Sequence, residues 1–281
     1  MTDKKVVLIT GGAMGQGAMH AVEFAKIGYD CVLLDMLDPT DERFAATVAE
    51  VEALGATVLP IKTNICSTPE MEAAFAAAWE KFGRLDVVVN NAGMGIGGPV
   101  EFATEEEIRE QMDANFMGLV NFVTAVLPTM RKQGSGKIIA MSSIGGVMGL
   151  PFQGFYSASK FAIEGYCEAL RLEIQQFGIQ VVVVRPGDFS TGFTASRKKT
   201  PNAEAMQVYQ TYAESMNKVE HDETGGLKPQ VLARKISQII RKNRPRHGYV
   251  VASFEQRLSV LLKRILPARW FAKILGSYYK L

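Results

Sequence analysis

Val6-Val-Leu-Ile-Thr10, followed at once by Gly11-Gly-Ala-Met-Gly-Gln-Gly17, is the stretch whose reading decides the fold. The first five residues are apolar and β-branched, which is the pattern of a buried strand. The next seven complete TGxxxGxG, and residues 17–27 continue with helical spacing. Gly11 permits a tight turn, and Gly15 and Gly17 let the backbone come up against a pyrophosphate at a helix N-terminus. Met14 and Gln16 lie in the same loop. A glycine-rich turn that binds nothing is the competing reading. Its position between a strand and a helix is what favours the phosphate loop.

Outward from this unit, short apolar runs alternate with longer periodic ones. Strands are expected at 6–10, 31–35, 57–62, 87–90, 137–142, 180–185 and 249–252. Helices are expected at 17–27, 41–54, 69–82, 104–132, 156–177 and 229–242. A continuously apolar strand such as Val181-Val-Val-Val184 implies a sheet covered on both faces. The alternation predicts one α/β domain with a seven-stranded, mostly parallel, doubly wound sheet. The catalytic domain is expected to occupy residues 1–252. Within it, 192–228 is a long polar insertion suited to a lid over a site, and His221 in that lid reads as a solvated loop histidine.

Composition narrows the function classes. A net charge of +2 gives no basic footprint for nucleic acid. The N-terminus lacks the cationic and apolar regions of a secretory signal. No apolar run approaches the ~18 residues that would span a bilayer. Cys31, Cys66 and Cys167 lack metal-ligand spacing, so no metal is expected, and they fit a reducing cytoplasm.

Several polar residues fall where a parallel sheet meets its ligand. Asp35 closes the second strand, eighteen residues beyond Gly17. A carboxylate there accepts from ribose hydroxyls and repels a 2′-phosphate, which favours NAD over NADP. Asn90-Asn91-Ala92-Gly93 ends the fourth strand, and Pro186-Gly187 with Thr191 follows the sixth. Asn115 sits in the middle of a helical pattern that it mildly disfavours.

Ser143 and Tyr156-Ser-Ala-Ser-Lys160 complete the chemistry. Tyr156 and Lys160 are four apart and share one helical face. An ammonium beside a phenol that titrates near ~10 favours the phenolate and moves it towards working pH. Taken alone the pair is ordinary, because such residues are usually on a surface.

Together these motifs, in order over about residues 4–252, are similar to those of the short-chain dehydrogenase/reductase superfamily, single-domain Rossmann enzymes. The resemblance implies that Tyr156 is the acid/base, that Lys160 lowers its pKa and holds the nicotinamide ribose, and that Ser143 polarises the substrate oxygen. Asn115 would position a water in a proton relay. Gly11, Met14, Gly15, Gln16, Gly17, Asp35, Asn64, Ile65, Asn91, Ala92, Gly93, Pro186, Gly187, Phe189 and Thr191 would bind the cofactor. Asn64 stands where the family often has Asp. Residues 143–165 resemble hydroxysteroid and retinol dehydrogenases, which implies a greasy substrate touching Ser143, Gly145, Met148, Phe152, Tyr156 and Phe193. Met94, Ile96 and Phe189 are further apolar candidates.

The expected function is NAD-dependent interconversion of a secondary alcohol and a ketone on a hydrophobic, hydroxysteroid-like substrate. An NADPH-dependent carbonyl or 3-oxoacyl reductase and a non-enzymatic NAD-binding sensor are the alternatives. The family implies a homodimer or homotetramer formed through the long helices. Residues 253–281 read as a basic amphipathic helical tail, with no acidic residue from Gln256 onward. Such a tail packs on its own domain or a second subunit, or lies at a membrane surface.

Overall fold

Alternate side chains of the first strand, β1 (Lys5–Thr10), enter opposite apolar layers: Val6 and Leu8 one, Val7 and Ile9 the other. The same alternation splits Val181 and Val183 from Val182 and Val184. Those runs are apolar throughout because both faces are roofed by helices. This computed structural model describes residues 3–200 and 203–281, without the side chains of Ala203 and Ala205. Met1, Thr2, Pro201 and Asn202, which fall in the expected domain and lid, lie outside the described residues.

The sheet continues with β2 (Tyr29–Asp35), β3 (Val58–Lys62), β4 (Val87–Asn90), β5 (Gly136–Met141), β6 (Ile179–Pro186) and β7 (Gly248–Val251). Its order is β3-β2-β1-β4-β5-β6-β7 and every pair is parallel. Chain order reverses between β1 and β4. That is the switch point where a crevice opens at the carboxyl ends of the strands.

Three helices cover one face: α1 (Gly15–Ala25), α2 (Glu42–Glu52) and, later in the chain, Pro229–Ile240. The other face carries α3 (Thr68–Phe82) and three segments that follow it. The helix expected at 104–132 is two helices, α4 (Glu105–Met112) and α5 (Gly118–Gln133), joined by a π turn at Asp113–Met117. The turn carries Asn115, which is 1% exposed and hydrogen-bonded to the Met94 backbone and to Ser159. Local helical preference yields there to the pull of these buried partners. The next helix, α6 (Gly154–Ile174), begins two residues before Tyr156.

The insertion folds as α7 (Phe193–Ser196), α8 (Ala203–Val208) and α9 (Tyr212–Thr224). It is tied down where Lys198–Lys199 pairs with Ile96–Gly97. After α10 (Pro229–Ile240) and β7 come the tail helices α11 (Phe254–Ile265) and α12 (Ala268–Tyr278). Phe271 of α12 is buried against Ile144 and Met148, with Leu150, Val250, Leu262 and Leu275 around it. The tail is thus packed on the domain that precedes it.

Candidate active site

The glycine loop is locked from both ends. Asn91 donates its amide to the carbonyls of Thr10 and Gly11, at 3.0 and 3.3 Å. The Thr10 hydroxyl accepts from the Asn91 and Ala92 amides, each at 3.0 Å. Asp35 takes the Ala13 amide at 3.0 Å and the Leu37 amide at 3.1 Å. Gly15 has φ +60 with open space at its Cβ position, while a Cβ on Gly17 would lie 1.8 Å from the Gly11 carbonyl oxygen. Only glycine lets the helix start so close to the strand end.

This loop walls a cavity of about 370 Å³ at the carboxyl edge of the sheet. Gly11, Met14, Gly15, Gln16, Asp35, Asn91, Ala92, Gly93, Pro186, Gly187, Phe189, Thr191 and Phe193 line it together with Ser143, Tyr156 and Lys160. The Gln16 side-chain amide is buried there with neither end partnered among the described residues. A backbone cradle, an unsatisfied amide and a carboxylate at the end of β2 suit a dinucleotide.

Ser143 accepts from the Gly145 amide at 3.0 Å, and its hydroxyl also meets the Tyr156 phenol. Lys160 donates to the Met141 carbonyl at 3.0 Å, and its ammonium lies 5.7 Å from the Tyr156 ring centre. A Cβ on Gly93 would meet Asn115 Oδ1 at 2.9 Å and Lys160 Nζ at 3.6 Å. Asn115 therefore stands behind Lys160 across a narrow gap, outside the cavity lining. It is joined to α6 by its amide donating to Ser159, which in turn donates to the Tyr156 carbonyl.

The electrostatics differ from the sequence expectation. Burial raises the Tyr156 pKa, and the Ser143 hydrogen bond is the largest influence opposing it. Burial also lowers Lys160 to about 8. Both groups are driven towards neutrality, because desolvation penalises each charged form.

Other expected residues are placed elsewhere. Asn64 accepts from the Cys66 amide, and Ile65 is buried in the core beneath Gly118. Gly145 packs beside Ser143 and Tyr156 without lining the cavity. Met148, expected to touch substrate, is 2% exposed under the tail and lines a second cavity. Phe152 has φ 56, and its ring packs edge-on against Tyr209 and Tyr212. Met94 serves through its backbone and Ile96 is buried. His221 is exposed on α9 at the second cavity.

Arg197, Glu223, Asp188 and Tyr279 are among the lining residues that escape sequence reasoning. Arg197, whose side chain is 1% exposed, pairs with Glu223 and lies 5.6 Å over the Phe193 ring, which is 6.0 Å from the Tyr156 ring. In sequence it belongs to the run Arg197-Lys198-Lys199, which looks like a solvated loop. Asp188 accepts from the Gln256 amide at 2.6 Å, and burial followed by Glu223 and Asp222 raises its pKa to about 6. Tyr279 arrives from the tail. Among the described residues no group of His, Cys, Asp and Glu could hold a metal.

A parallel sheet with a glycine loop, an acidic strand end and a Ser, Tyr and Lys set at one cavity defines a nucleotide-dependent oxidoreductase. The family model described as short chain dehydrogenase matches residues 5–202, and the chain belongs to that family. It is 40% identical over 276 residues to 3-ketodihydrosphingosine reductase of Bacteroides thetaiotaomicron, covering 98% of each chain. It is 35% identical over 202 residues to human 17-beta-hydroxysteroid dehydrogenase type 1, covering 68% of this chain and 58% of that one. A short chain dehydrogenase of Mycobacterium paratuberculosis, solved bound to NAD, superposes with a TM-score of 0.77 at 26% identity, covering 90% of this chain and 98% of that one.

Proposed function

We propose that the enzyme interconverts a secondary alcohol and a ketone on a long-chain lipophilic substrate, with NAD as cofactor. The observation that carries this reading is the meeting of Ser143, Tyr156 and Lys160 with the Gly11–Gly15 loop and Asp35 at one cavity. NAD, when bound, takes up or returns the hydride of the carbinol carbon. Gly11, Gly15, Gly17, Gln16, Asn91, Ala92 and Gly93 hold the dinucleotide, and Asp35 takes its ribose hydroxyls and selects against a 2′-phosphate. Pro186, Gly187, Phe189 and Thr191 hold the nicotinamide end. Asn64, whose Oδ1 already accepts from the Cys66 amide, and Ile65, which is buried in the core, lie outside the cavity lining.

Ser143 donates to the substrate oxygen, and Tyr156 gives that oxygen a proton on reduction or removes it on oxidation. Lys160 has a pKa near 8 and lies beside the phenol, so it supplies the replacement proton. Asn115 holds the relay behind Lys160, and the gap at Gly93 is where a water fits. Phe193 packs against Tyr156 and keeps bulk water from the reacting atoms.

A second cavity of about 350 Å³ meets the first at Ile144, Leu150, Asp188, Asp222 and Tyr279; Met148, Leu262, Phe271, Ile274 and Leu275 form an apolar part of its lining, and His221, Ser253, Glu255, Gln256 and Ser259 a polar one. It is shaped to take an aliphatic chain. That supports a substrate of the kind named for the Bacteroides relative over the sterol-like one. The enzyme works in the cytoplasm as a homo-oligomer, assembled through α4–α5 and α6, with peripheral contact at a membrane.

Turnover with NAD and NADP over a panel of long-chain 3-keto bases, sterols, retinoids and 3-oxoacyl thioesters tests this. NAD-linked turnover of the long-chain ketone is expected. NADP-linked turnover alone would overturn the role given to Asp35 and put the carbonyl or 3-oxoacyl reductase ahead.

A further inference from the structure

The tail helices have two opposite faces, and only one is used by the fold. Phe271 turns inward, whereas Phe254, Leu258, Leu261 and Ile265 are 79%, 41%, 52% and 65% exposed. Their spacing of i, i+4, i+7 and i+11 confines them to an arc of about 60° on α11. Trp270 and Ile274 of α12 repeat the pattern at 58% and 49% exposure. No helix among the described residues is long and apolar enough to cross a membrane.

Around these side chains the charge is predominantly positive, with Glu255 in the first turn of α11 the acidic exception. Residues 256–281 hold six Lys and Arg and no Asp or Glu. Lys280 is paired with Glu214 and Lys263 stacks on Phe271. Arg257, Arg264, Arg269 and Lys273 are exposed among the apolar residues. A second copy of the chain is a poor occupant, because two-fold pairing would set this cationic patch against itself.

We infer that this face docks on an anionic phospholipid surface, with the apolar side chains in the interface and the cations at the headgroups. The docking also gives the substrate its way in, an inference that rests on the lipophilic-substrate reading above. Ile274 and Tyr278 are part of the exposed face and also line the second cavity. That cavity shares Ile144, Leu150, Asp188, Asp222 and Tyr279 with the catalytic one. A chain drawn from the bilayer between Ile274 and Tyr278 therefore enters the cavity that adjoins the Tyr156 cavity.

The test is co-sedimentation of the full chain with vesicles of phosphatidylcholine alone or with phosphatidylglycerol, at low and high salt, without cofactor or substrate. Emission from Trp270 is read in a Trp79→Phe background, which leaves it the sole tryptophan. Binding to the anionic vesicles, a blue-shifted Trp270 and weakening by salt are expected. The triple variant Leu261→Ser, Ile265→Ser, Trp270→Ser should bind about tenfold or more weakly and keep its turnover of a short soluble ketone. Absence of binding to anionic vesicles overturns the inference, as does equal binding by the triple variant. A dimer that the triple variant breaks, without vesicle binding, assigns the face to a second copy instead. Since vesicle binding is read without turnover, a wrong substrate assignment leaves this result standing.

Discussion

The wall of the cavity built on β1, β4 and β5 takes its residues from short, contiguous motifs, whereas the wall built by the lid and tail gathers Asp188, Arg197, Glu223 and Tyr279 from 92 positions of chain. On the first wall the backbone does the work. Glycines leave room, and Thr10, Asp35 and Asn91 fix the loop through main-chain hydrogen bonds. On the second wall, side chains of opposite charge and separated aromatic rings hold each other in place. The first kind suits a cofactor that every turnover reuses. The second can be refashioned for a particular substrate while the first is left alone.

That division can be broken from either side. Tyr156→Phe should lower kcat by about 10²–10⁴-fold in both directions, with thermal stability kept, because only the proton carrier is removed. Retained turnover in steady-state assays would move the acid/base role away from the first wall.

Lys160→Met should abolish efficient turnover and yet stabilise the fold. Burial depresses the Lys160 pKa from 10.5 to about 8, so the unfolded chain holds a proton that the folded one releases across that window. The native enzyme therefore gains stability as pH rises from about 8 to 10.5, and at pH 7 it bears a cost on the order of 3 kcal/mol. Denaturant unfolding of both proteins at pH 7 and pH 10 reads this, and the gap should narrow at the higher pH.

In the second cavity, beyond that wall, Phe271→Ala should raise KM for a long-chain ketone by about tenfold and leave kcat on a short one within about twofold. An equal loss on both substrates would mean that the tail supports the chemistry itself. Asp188→Asn is the mildest change. Burial, then Glu223 and Asp222, holds this carboxyl near 6 against 3.8 in the unfolded chain, so native stability falls as pH rises through that window. The variant should melt a few degrees higher at pH 7 and show a flatter profile between pH 4 and 6.

Legibility in the sequence follows the same division. Hydrophobic runs and helical periods marked all seven strands and the six helical segments around the sheet, because burial on both sheet faces leaves a continuous apolar signature, whereas the thirteen-residue α9 fell within what read as a polar insertion. The glycine loop and the Tyr156–Lys160 pair were readable because their chemistry fixes both residue type and spacing. The π turn at Asp113–Met117 was not, since its cause is hydrogen bonds from Asn115 to residues 21 and 44 positions away. Nor was the direction of the Tyr156 shift, which is set first by the depth of burial, with the Ser143 hydrogen bond opposing it. Arg197 carries no motif, and its place in the site is set by Glu223, 26 positions away. Met148 and Phe152 were assigned to substrate by their place in a motif, and the fold uses them beneath the tail and against Tyr209 and Tyr212.

The measurement that bears most directly on the central claim follows deuterium from the carbinol carbon of a long-chain alcohol, with NAD supplied, in the wild-type enzyme and in Tyr156→Phe. The cavity geometry predicts label in the reduced dinucleotide, a slowed wild-type rate with the labelled alcohol, and almost no transfer in the variant. Oxidation of the alcohol without label in the dinucleotide, or transfer undiminished in Tyr156→Phe, would contradict it.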